Sequence, residues 1–235
     1  MTMYYLQIYE TKIKFQVTKK LTILTVIVAF FATTGALHAQ QKYAVIIGGN
    51  MHPDSAIIPT TEQWNHGNEK SPFYGYEVFW KETYLMWEML VFEKEFTNAD
   101  VHVLFGNGRD FAYSGQSLRY MAVSHGYLNV TDENSNRRTI ATSFSDLDNT
   151  ITIGDTLIVW IMSHGGTDST GSYFYSYDNQ KVYDSELATW LGNIAAHKKV
   201  VVLSFPKSCG FIPELEAEGV IVITADGVTR VTDLF

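Results

Sequence analysis

The sequence predicts an α/β sandwich with a mainly parallel sheet, and three observations predict it. Short and almost continuous apolar runs recur along the chain, as expected of strands covered on both faces. Segments of helical period separate them, the order that builds parallel sheets. Finally, the 235 residues are 46% hydrophobic and 18% charged, enough apolar chain to bury one sizeable core and too much for a disordered segment.

Tyr43–Gly48 (YAVIIG) is the first strand and ends in Gly48-Gly49. Asn50–Pro72, polar and with Pro and Asn, is a predicted loop. Glu77–Phe96 carries Trp80, Tyr84, Trp87, Val91 and Phe92 at helical spacing, a crossover helix lying on the sheet. Asp100–Phe105 is the second strand, followed by Gly106-Asn107-Gly108; no third glycine at the dinucleotide spacing follows, so phosphate binding there is not expected. From Ser114 to Asn149 periodicity is weak, with Asn134–Arg138 an expected exposed loop.

Gly154-Asp155 leads into Thr156–Met162 (TLIVWIM), the clearest buried strand, which stops at Ser163-His164-Gly165-Gly166. After a polar tip, Tyr173–Tyr183 alternates around Asp178-Asn179-Gln180 as a hairpin does. Asp184 or Ser185 is placed to cap a helix running to about Ala195, with Leu187, Trp190 and Leu191 facing inward. Lys199–Phe205 and Gly219–Ala225 are the last strands. No repeat and no low-complexity linker interrupts the series.

The first 39 residues differ from the rest. Lys12, Lys14, Lys19 and Lys20 precede the apolar run Leu21–Phe31, small residues follow, and Ala39 stands before Gln40, the order of a signal peptide cleaved after Ala39. Export to a secreted or periplasmic location is the expectation. An uncleaved membrane anchor is the other reading, since Leu21–Leu37 is nearly long enough to span a bilayer. Thirteen basic and 24 acidic residues remain beyond residue 39, a net charge of about −11. That balance argues against a nucleic-acid partner, because binding phosphates takes a clustered positive surface.

In open α/β sheets the functional groups gather beyond the carboxyl ends of strands. Two such ends carry reactive residue types, His164 after the third strand and Cys209, the only cysteine of the chain, after the fourth. A histidine titrates in the range needed to exchange a proton with a thiol and a leaving amine. Gly165 and Gly166 bare their backbone N–H groups beside the imidazole, where a developing oxyanion is held, and Gly210 allows a similarly close approach. The plainer uses are a hydrogen-bonded histidine at a strand end and a packed thiol. Metal catalysis has no ligand set: His38, His52, His66, His102, His125 and His197 are scattered, no His-Glu-x-x-His occurs, and no Gly-x-Ser-x-Gly marks a serine hydrolase.

This ordered set, a Gly-Asp, an apolar strand ending in His-Gly, a hairpin, a helix and a strand leading into a Cys/Gly loop, resembles the caspase-like (clan CD) cysteine peptidases. The legumain-type C13 peptidases are the most similar branch: Ala44-Val45-Ile46-Ile47-Gly48-Gly49-Asn50 is similar to their opening strand, and Gly210-Phe211-Ile212 to the end of their cysteine loop. The resemblance spans Lys42 to Asp226. It implies a caspase-like three-layer sandwich over 40–235, a His164–Cys209 dyad, Gly165 and Gly210 as backbone donors, peptide or protein as substrate, and no metal or cofactor. It also implies a domain shortened at its C-terminal end, because family members continue past the fifth strand.

The family loop reads Cys, any residue, Ser, Gly, Gly, Phe. Counting back from Gly210-Phe211 puts Ser208 on the family serine and Pro206 where the nucleophile belongs. Counting by residue identity makes Cys209 the nucleophile, in a loop about three residues short before Gly210. Two functions follow: an exported cysteine endopeptidase, or a catalytically inactive homologue with a binding or structural role. The Pro206–Gly210 loop separates them.

Overall fold

A computed structural model of the chain describes residues 40–49, 75–111 and 117–225. The expected signal peptide at 1–39, the loop Asn50–Pro72 and the tail 226–235 lie outside them. Among the described residues no helix is long and apolar enough to cross a membrane. The strands are β1 (Lys42–Gly48), β2 (Val101–Phe105), β3 (Thr156–Met162), β4 (Gly165–Thr167), β5 (Ser172–Tyr175), β6 (Lys181–Tyr183), β7 (Lys198–Ser204) and β8 (Ile221–Thr224). The α-helices are α1 (Gly75–Glu88), α2 (Arg137–Thr150), α3 (Asp184–Asn193) and α4 (Ile212–Ala217).

β2, β1, β3, β7 and β8 form one parallel sheet in that order. The order follows from chirality. Moving from β1 to β2 puts α1 on one face, whereas the return across β1 to β3, and then on to β7 and β8, puts α2, α3 and α4 on the other, as right-handed crossovers require. The result is a three-layer α/β sandwich, as the sequence predicts.

Side-chain alternation along the strands feeds two different cores. Ala44, Ile46, Val101, Val103, Phe105 and Trp160 meet α1 through Trp80, Tyr84 and Trp87. Val45, Ile47, Val159, Ile161, Val201 and Leu203 meet Ile140 and Phe144 of α2, Leu187 and Leu191 of α3, and Leu215 of α4. On the first side the polar atoms of the three α1 rings have partners. Trp80 Nε1 donates to the Tyr120 carbonyl at 2.9 Å, Trp87 Nε1 to Asn98 Oδ1 at 2.8 Å, and the Tyr84 hydroxyl lies 2.7 Å from Ser124 Oγ.

Several expectations change. The weakly periodic stretch before Asn149 holds α2, whose inner stripe is only Ile140, Phe144 and Leu147 among Ser, Thr, Asp and Asn. A parallel return from β2 to β3 requires such a crossover, so topology overrides a thin pattern. Asn134–Arg138 is not an exposed loop. Ser135 is buried with its hydroxyl donating to the Gly48 carbonyl at 2.5 Å, and Arg137 opens the helix. The helix expected over Glu77–Phe96 runs Gly75–Glu88 and then widens into a π-turn at Met89–Glu93, where the Lys94 N–H reaches the Met89 carbonyl at 3.0 Å.

α3 ends at Asn193, and its start is capped by Glu186 accepting the Tyr183 N–H at 3.0 Å, so Asp184 is the first helical residue and not the cap. Asp184 instead accepts the N–H groups of Ser172 (3.0 Å) and Ser185 (2.8 Å). Asp155 does stand at a strand start: it accepts the Gln41 N–H at 2.9 Å and both the Thr152 N–H and hydroxyl at 2.8 Å. Gly106-Asn107-Gly108 is a turn, with Gly108 at φ +90° and Asn107 bridging to Asn134, which explains its glycines without a phosphate.

The packing of α2 is checked by urea unfolding. Phe144→Ala removes a ring that is 1% exposed and stacked on Trp190, and is expected to cost about 3–5 kcal/mol. Asp148→Ala, on the exposed side of the same helix, is expected to stay within about 0.5 kcal/mol.

Candidate functional site at the carboxyl ends of β3 and β7

β3 and β7 are adjacent and in register over seven pairs, the last being Met162 with Ser204. Their continuations, Ser163-His164 and Phe205-Pro206, therefore leave the sheet side by side. The expected neighbourhood of the two reactive loops is thus present. Which residue of the second loop meets the first is decided by the turns that follow.

His164 joins β3 to the antiparallel β4–β5–β6 sheet. Its carbonyl accepts the Tyr175 N–H at 2.9 Å, and its ring lies 6.1 Å from the Phe79 ring of α1. The hairpin is fastened to the main sheet at this point, because the Ser163 hydroxyl donates to the Tyr175 carbonyl at 2.6 Å. Gly165, first residue of β4, pairs with Phe174. One face of the small sheet is aromatic and buried: Phe174 meets Phe205 at 5.7 Å and Phe211 at 6.3 Å, and those two meet each other at 5.3 Å.

Gly165 is required by this contact. A Cβ there would lie 2.5 Å from the Phe205 ring, 2.7 Å from the Tyr173 carbonyl oxygen and 3.0 Å from the Pro206 carbonyl oxygen. Phe205 and the Pro206 carbonyl are therefore the parts of the β7 loop that stand against Gly165. Past Pro206 the chain turns sharply through Lys207, a non-glycine residue at φ +64°, into the single 3-10 turn Ser208–Phe211.

Gly210 packs so closely on the Ser172 hydroxyl that a Cβ could not be fitted. Ser172 pairs with Thr167 and not with His164. Three residues of extended strand separate those levels, about 10 Å. Cys209, next to Gly210, is a half-buried free thiol. Gly165 thus meets the start of the β7 loop, and Gly210 lies against Ser172, toward the other end of β4.

The outward face of the hairpin was not anticipated as part of a site. Tyr173 stands edge-on to Tyr175 at 5.2 Å and to Tyr183 at 5.8 Å, with Lys181 Nζ over the Tyr173 ring at 4.1 Å. The alternation of Tyr173, Tyr175 and Tyr183 was the available signal. At the hairpin tip Asp168 accepts from Lys181 Nζ at 2.6 Å, from the Thr170 N–H at 2.8 Å and from the Tyr183 hydroxyl at 3.1 Å. The Lys181 ammonium is the largest cause of an Asp168 carboxyl lowered to about 2. Among the described residues no group of three or more His, Cys, Asp or Glu could hold a metal.

Two measurements check this geometry. Gly165→Ala is expected to destabilise the fold by about 1–3 kcal/mol, because two of the atoms it meets are backbone carbonyls. Gly154→Ala, with nothing within 4 Å of the added carbon, is expected to change stability by less than about 0.5 kcal/mol. The Asp168 carboxyl is expected to titrate near 2 by carbon NMR. Its folded value is depressed, so its tie to Lys181 is fully present above the unfolded value near 3.8 and is lost as pH falls through about 2; Lys181→Met moves the midpoint upward.

No protein-family model and no curated protein matches the chain. Among solved structures it is similar to protein GSU0716 from Geobacter sulfurreducens, at 12% identity and a TM-score of 0.39. The match covers 70% of this chain and 50% of that one, so the chain spans about half the length of that structure.

Proposed function

We propose that this chain is a caspase-like domain that binds an extended peptide or protein segment without hydrolysing it. The observation that carries the reading is the position of Pro206. Its carbonyl lies against Gly165, the residue after His164, which is where a nucleophile leaving β7 would have to be. Proline offers no nucleophilic atom. Peptide hydrolysis by a His–Cys pair needs the sulfur within hydrogen-bond reach of the imidazole, both to generate the thiolate and to place it for attack.

The packing of Gly210 on Ser172 supports the same reading. It ties the Gly210 end of the loop to the far end of β4, which favours a Cys209 held away from the imidazole. What survives is a backbone surface beside an imidazole, suited to holding a peptide carbonyl in its ground state. Export through the N-terminal segment is part of this proposal and would put the partner outside the cytoplasm.

The test uses the full chain and thiol chemistry. Iodoacetamide is expected to label Cys209 no faster than a free peptide thiol, with His164→Ala leaving the rate unchanged. In the Cys209→Ser background, Pro206→Cys is expected to alkylate about tenfold faster at pH 7, since pairing with His164 lowers a thiol below its ordinary value near 8.5. His164→Ala should abolish that gain. Capture of wild-type Cys209 by an acyloxymethyl ketone in a His164-dependent way, or peptide turnover lost in Cys209→Ser, would instead establish the endopeptidase.

A further inference from the structure

We draw no further inference here: the strongest candidate, the outward aromatic face of the β4–β5–β6 hairpin formed by Tyr173, Tyr175 and Tyr183 beside Lys181, carries nothing because nothing in the structure shows what covers it.

Discussion

The contact between Phe174, Phe205 and Phe211 is the constraint on which the rest of the site depends. Phe174 belongs to the β4–β5 hairpin that leaves β3, and the other two belong to the loop that leaves β7. All three are essentially excluded from water. Burying such rings stabilises by about 1.5–3 kcal/mol each, and here that gain also sets a register between two loops. With Phe205 under Gly165, the Pro206 carbonyl is brought against the same glycine.

The parallel sheet prepares this contact without determining it. Seven paired residues between β3 and β7 bring the two carboxyl ends to one place, the position at which α/β sheets commonly carry their sites. The turn at Lys207 and the packing of Gly210 on Ser172 then lead the loop along the hairpin.

The two sides of the sheet are built differently. Toward α1 the core is made of large rings with their polar atoms tied down, and these ties also secure the segment from Tyr120 to Ser124. Toward α2, α3 and α4 it is mostly aliphatic, with the phenylalanine cluster at its edge next to the site. The high aromatic content of the chain thus has two uses, one in anchoring a helix and one in setting the loop register.

The sequence by itself determined the α/β class, the strands and their approximate ends, because long apolar runs and a tryptophan-rich helical stripe are local patterns with local causes. It also singled out His164-Gly165 and raised the alternative between Pro206 and Cys209. It did not reveal α2, whose three inward residues make too thin a stripe to stand out from Ser, Thr, Asp and Asn, nor β4, which is only Gly-Gly-Thr. Only the tertiary structure decided which loop residue meets the His-Gly turn, because that depends on contacts between Phe174 and residues more than thirty positions away. The hydrogen-bond parity of β4 is likewise set between two strands, which no single stretch of sequence encodes.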